Sequence, residues 1–142
     1  MTASEDRPYR VALNIDAEPD PQYVLELAEA FAESVRVLNH QTRDHAAFGG
    51  PADVHGTITD ISLGVSRLPQ MLEQAARWLA AEHEAGRVGT DDGADPATAV
   101  MAARIRLDQA RAMADDFTHA LNSATSVTSH LKTANTGENA DG

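Results

Sequence analysis

The chain has 142 residues and no cysteine, and its 22 acidic residues outnumber its 11 basic residues, which gives a formal net charge of −11. The lack of thiols excludes cysteine nucleophiles, thiol–disulfide redox pairs and zinc sites built on cysteine. An acidic surface repels phosphate, so the charge argues against direct binding of nucleic acid or of an anionic membrane. The sequence contains no run of 18 apolar residues that would predict a membrane-spanning helix.

The two ends of the chain differ from its middle in composition. Residues 1–8 and 133–142 are small and polar and are predicted to be disordered tails, while residues 9–132 are predicted to form a single helical-bundle domain. The opening segment MTASEDRPYR has no apolar core of the kind found in secretory signals, which favours a cytoplasmic location. Ten of the eleven basic residues are arginine, and alanine is abundant, as is typical of GC-rich bacterial coding.

The segment 9–16 alternates apolar and polar residues. Period two over seven residues is typical of a strand, so we expect an extended or strand-like arm before the first helix. A single strand cannot satisfy its own backbone groups. The arm could therefore pair with the same strand of a second copy or with the sheet edge of a partner, or it could lie along the bundle without forming a strand. The apolar positions are Tyr9, Val11, Leu13 and Ile15.

Three long segments with few helix breakers predict an all-α protein. Helices are expected over about 21–43, 52–85 and 96–132. Asp20 and Asp95 are predicted N-caps because each is followed by a proline, which suits the first helical position. Helices two and three each span about 35 residues, or about 50 Å, and a connection of about a dozen residues predicts that they form an antiparallel hairpin. The expected fold is an antiparallel three-helix bundle in which helix one covers the hairpin along Met71 and Trp78.

Helices two and three each show an apolar seam with steps of three and four residues. Such a heptad pattern predicts that the two helices pack along these seams. The predicted seam of helix two is Val54, Ile58, Ile61, Val65, Leu68, Leu72, Ala75 and Leu79, and that of helix three is Val100, Ala103, Leu107, Ala110, Ala114, Phe117, Leu121, Ala124, Thr128 and Leu131.

Pro69 lies inside helix two and cannot donate a hydrogen bond to the carbonyl of Val65. The helix could therefore bend there or break into two. Because the heptad phase continues past Pro69, we expect a local distortion between Gly64 and Pro69 in one continuous helix.

Four histidines are expected at one pole of an antiparallel bundle. They are His40, His45, His55 and His130, with Asp44 and Asp53 nearby. Imidazole and carboxylate groups can bind a divalent metal, and histidine also titrates near neutral pH, so this pole is a candidate metal or pH-sensing site. The spacing matches no metal signature, and the Glu-x-x-His pairs of di-iron bundles do not occur. We therefore expect no cofactor.

The sequence contains no phosphate-binding glycine loop and no nucleophile elbow, and it offers no catalytic residues. Apolar residues outside the predicted seams need cover, which favours a homodimer or another protein partner. This candidate interaction surface comprises Leu63, Met101, Ile105 and Trp78. For Trp78 alone the pattern favours packing in the core, and an anchor in an interface is the alternative. The sequence thus favours a non-enzymatic, self-associating interaction or scaffold module, with a metal- or small-ligand-binding bundle, hydrolytic in one version, as the alternative.

Overall fold

A computed structural model describes residues 10–135, and within that range the chain is helical with no strand. Three α-helices span Pro21–Gln41 (α1), Pro51–Glu84 (α2) and Pro96–Thr128 (α3), and a single 3₁₀ turn spans His45–Ala47. The all-α prediction is confirmed, and each predicted helix is present within four residues of its predicted ends. No helix in the part of the chain that the structure describes is long and apolar enough to cross a membrane.

The helix starts follow from capping chemistry. The Asp20 side chain accepts a hydrogen bond from the Gln22 amide, and the Asp95 side chain accepts one from the Thr98 amide. In both cases a proline occupies the first turn, where its missing N–H leaves no hydrogen bond unmade. Both predicted N-caps are therefore confirmed.

The chain divides into two compact units between Phe48 and Gly49. In the first unit, the Tyr23 hydroxyl on α1 donates to the Ala12 carbonyl over 2.6 Å and accepts from the Asn14 amide over 3.0 Å. These bonds fasten the N-terminal arm to the first turns of α1. Residues 10–16 form no strand, and Leu13 and Ile15 are exposed. Tyr9 and the predicted tail 1–8 lie outside the described residues, as does 136–142 of the other predicted tail.

The second unit is an antiparallel hairpin in which α2 and α3 pack closely along their lengths. Helix α2 runs through Pro69 without a break, as predicted. At its carboxyl end Arg87 makes a bidentate ion pair with Glu82, with Nε–Oε2 and Nη2–Oε1 distances of 2.7 and 2.8 Å. This hydrogen bonding lowers the pKa of Glu82 and raises that of Arg87. The pair fastens the first residues of the loop to the last turn of α2.

The pairing seam, meaning the positions through which α2 and α3 contact each other, differs in part from the predicted one. Ser62 is 4% exposed, whereas its predicted neighbour in the seam, Ile61, is 39% exposed. Likewise Phe117 is 52% exposed, while Thr118 beside it is half-buried. The seam residues, all buried or half-buried, are Ile58, Ser62, Val65, Pro69, Leu72, Ala76 and Leu79 of α2 and Val100, Ala103, Leu107, Ala110, Ala114, Thr118, Leu121, Thr125 and Thr128 of α3.

Met71 and Trp78, for which the sequence predicts cover by helix one, are exposed to 49% and 63%. The prediction that Trp78 packs in the core is therefore wrong, because its indole lies at the surface. Trp78 comes one position before the seam residue Leu79, so the rotation of about 100° per residue carries it out of the contact between the helices.

Candidate interaction surface

The hairpin has a polar end, where α2 begins and α3 finishes. There the Ser62 hydroxyl donates to the Asn122 side-chain oxygen over 2.7 Å, and His55 Nδ1 is hydrogen-bonded to the Thr128 hydroxyl over 2.9 Å. Both bonds cross from one helix to the other. At this end the seam contributes the hydroxyls of Thr118 and Thr128 beside the aliphatic side chains of Ile58 and Leu121. A seam pairing made of side-chain hydrogen bonds favours one register, because a shift by one residue leaves the donors and acceptors unmatched.

The two sides of the hairpin flanking the seam have opposite chemistry. On one side an open groove is lined by Glu73 and Arg77 of α2 and by Arg104, Asp108 and Arg111 of α3. Each of these residues follows a seam residue by one position. We call this the charged groove.

Ion pairs organise the charged groove. The Arg111 guanidinium donates from Nη1 to Asp108 Oδ1 over 3.1 Å and lies 3.8 Å, through Nη2, from Glu73 Oε2 on the other helix. Glu73 also accepts from Arg77 Nη2 over 2.5 Å. Carboxylates therefore already pair with Arg77 and Arg111, and a free anion would have to displace them from these two arginines.

Residues one position before the seam lie on the other side of the hairpin. Because the residues one position after the seam converge on one groove from both helices, those one position before it must share the opposite side. We call this side the apolar face. Its members are Ile61, Gly64, Leu68, Met71, Ala75 and Trp78 of α2 and Met113, Phe117, Ala120, Ala124 and Val127 of α3.

The eleven members of the apolar face include no charged residue, and its large side chains are open to solvent except Leu68, which is half-buried. Met113 is 70% exposed, Val127 is 65% exposed and Phe117 is 52% exposed. Arg106 precedes the seam residue Leu107 and so lies on this side of α3, where it donates to Gln109 over 3.2 Å. The cross-helix contacts of Ser62 with Asn122 and of Glu73 with Arg111 place residue 106 near the level of Trp78. A contiguous apolar area of this length is typical of a protein–protein contact.

The four residues predicted as an interaction surface are all exposed. Leu63, Met101 and Ile105 lie on the side of the charged groove, and Trp78 lies on the opposite side. Met101 and Ile105 line the charged groove. Leu63, which follows the seam residue Ser62, is 49% exposed. Trp78 alone belongs to the apolar face. The sequence pattern identified exposed apolar residues, but it did not show that Met71, Met113 and Phe117 form the larger continuous surface.

The four histidines occupy different settings. His40 is hydrogen-bonded to Arg43, and His45 begins the 3₁₀ turn in the first unit. His55 pairs with Thr128 in the hairpin, and His130 follows the end of α3. Within residues 10–135 no three histidine, aspartate or glutamate side chains gather closely enough to hold a metal ion.

The geometry defines the chain as an all-α protein built around an antiparallel helical hairpin that is apolar on one side and charged on the other. In comparisons with known proteins, no family model, no curated protein and no solved structure matched the chain.

Proposed function

We propose that the chain is a non-catalytic helical interaction or scaffold module that associates with itself through α2 and α3. The observation that carries the proposal is the distribution of burial. Among the described residues, the buried set consists of Ser62, Val65 and Val100. The proposal includes a dimeric state and a cytoplasmic location.

Physical reasoning links the thin core to association. Burial of apolar surface is the main favourable term in folding and contributes about 25 cal/mol for each Å² removed from water. Two helices alone bury only one stripe each. Leucines such as Leu72 and Leu107 are only half-buried, so part of their apolar surface does not contribute to the stability of the fold. Association through the exposed side chains of the hairpin would supply the missing burial.

Light scattering coupled to size exclusion tests the proposal, together with thermal melts at several protein concentrations. We expect a mass of twice the chain mass at micromolar concentrations and a melting temperature that rises with concentration, because association stabilises the folded state by mass action. A single-chain mass together with a melting temperature that is independent of concentration would contradict self-association.

Zinc titration separates this proposal from the metal-binding alternative at the histidine pole. A protein with a specific zinc site gains about 2.7 kcal/mol of stability at a zinc concentration 100 times its dissociation constant. The interaction module should gain none, and the His55→Ala/His130→Ala variant should melt in the same way with or without zinc. A zinc-dependent gain that these substitutions abolish would favour the alternative.

A further inference from the structure

The apolar face gives each helix of the hairpin a second heptad stripe beside its pairing seam. On α2 the stripe from Ile61 to Trp78 has steps of 3, 4, 3, 4 and 3 residues, and on α3 the stripe from Met113 to Val127 has steps of 4, 3, 4 and 3. A helix in a two-helix pair needs one seam, whereas a helix in a four-helix bundle contacts two neighbours and needs two. The hairpin is therefore patterned as half of a four-helix bundle.

The size of the apolar face matches what a specific dimer requires. Six of its large side chains are exposed, from 39% at Ile61 to 70% at Met113, and together they provide roughly 700 to 900 Å². A standard interface buries about 800 Å² on each partner. The face is thus large enough to hold a second hairpin without help from the rest of the chain.

The distribution of charge favours a second copy over a basic partner. The chain carries a net charge of −11, so two copies repel each other across most of their surface. The apolar face, whose eleven members carry no charge, is where that repulsion is smallest. A basic partner would gain its affinity from acidic side chains, and this face offers none.

Small residues in the face allow close approach of a second backbone. Gly64 of α2 and Ala120 of α3 interrupt the large side chains. A Cβ atom at Gly64 would meet nothing within 4 Å in the single chain, so packing inside one copy does not require glycine there. Glycine inside a helix destabilises it by about 1 kcal/mol relative to alanine. The close approach of a second helix would explain why this position is nevertheless glycine.

We infer that the apolar face is covered by the apolar face of a second copy, so that two hairpins form a four-helix bundle. This inference rests on the proposed function and specifies which side of the hairpin mediates it. A two-fold axis between the hairpins brings the same eleven residues together from both copies, which is the arrangement of a closed, self-complementary dimer.

Matched glutamate substitutions on the full chain test the inference. Met71→Glu and Met113→Glu place a charge in the apolar face, whereas Leu63→Glu and Met101→Glu place the same charge elsewhere on the same two helices, at positions of similar exposure. We expect light scattering to show a dimer for the wild type and for both controls. The dissociation constant should rise at least about tenfold for each face variant. Helical circular dichroism is measured alongside to show that every variant folds.

The association states of the wild type and the four variants separate the inference from the proposed function. Dimers that persist in Met71→Glu and Met113→Glu but dissociate in Leu63→Glu or Met101→Glu overturn the inference and leave self-association standing through another side. If all four substitutions raise the dissociation constant of the dimer equally, the inference that the apolar face is the interface is overturned. A wild-type chain that stays monomeric at every concentration overturns both the inference and the proposed function.

Discussion

The two ends of the hairpin contain different kinds of side chain in their seams. At the end where α3 begins, the seam is aliphatic and includes Leu79, Val100 and Leu107. At the other end it contains the Ser62–Asn122 and His55–Thr128 hydrogen bonds. Aliphatic contacts supply free energy without direction, whereas hydrogen bonds add little net free energy but demand a particular alignment. The aliphatic end therefore stabilises the pairing of the helices, and the polar end fixes the register of that pairing.

The largest effect is expected from a charge in the aliphatic end. Val100 is 6% exposed, so Val100→Asp would bury a carboxylate without a partner and should destabilise the hairpin by about 3–5 kcal/mol. Met101→Asp is the matched control, because the neighbouring side chain is 55% exposed. Thermal melts followed by helical circular dichroism provide the measurement. Equal loss of stability in the two variants would contradict the assignment of Val100 to the core.

The polar end should respond differently to truncation. Ser62→Ala removes the donor to Asn122 and should cost about 0.5–1.5 kcal/mol, the net worth of a typical hydrogen bond. Replacing both partners, as in Ser62→Ala/Asn122→Leu, should leave the stability close to that of Ser62→Ala, because Asn122 is exposed and its amide can bond to water once Ser62 is gone. Urea unfolding of the single and double variants measures the difference. A double variant less stable than Ser62→Ala would show that this pair contributes stability as well as register.

Acid should weaken the start of α3. Hydrogen bonds from Thr98 hold the pKa of Asp95 below its ordinary range. A lowered carboxyl pKa stabilises the fold above the unfolded pKa, and this stabilisation is lost as the pH falls through the folded pKa, below about pH 4. Asp95→Asn keeps an acceptor at the N-cap but removes the titration. Its melting temperature should therefore fall less steeply than that of the wild type between pH 5 and pH 2. Identical slopes would show that Asp95 does not contribute to the acid sensitivity.

The smallest effect concerns a glycine near the polar end. Gly56 lies inside α2 with open space around its Cβ position. Gly56→Ala should therefore stabilise the helix by about 0.5–1 kcal/mol through helix propensity alone. Chemical denaturation measures this gain, and a loss of stability instead would show that another chain segment approaches Gly56 closely.

The helices could be predicted from the sequence, but not which apolar stripe of each helix faces the other helix. Asp20, Asp95 and the prolines after them predicted two helix starts, because capping depends on local chemistry alone. The predicted seam placed Ile61 and Phe117 between the helices, whereas the structure places Ser62 and Thr118 there. Each helix carries two adjacent apolar stripes, and a heptad pattern cannot show which stripe faces the intrachain neighbour.

The candidate surface was partly predictable for the same reason. Trp78 could be recognised as an apolar residue outside the regular spacing, and the structure places it on the apolar face. Phe117 fitted the predicted seam and so gave no sign of being exposed. Ion pairs were equally hard to predict, since Asp108 can reach either Arg104 or Arg111 along the helix, and the structure selects Arg111, which also approaches Glu73 on α2.

Thiol accessibility on the apolar face tests the central claim most directly, because the chain has no cysteine of its own. Met113→Cys places one thiol in the face, and Ser126→Cys places one at an exposed position off it. If two apolar faces cover each other, maleimide labelling of Cys at position 113 slows at least about tenfold as the concentration rises through the monomer–dimer transition, while labelling at position 126 keeps its rate. Equal labelling rates at both positions, at concentrations where the protein has doubled its mass, would contradict it.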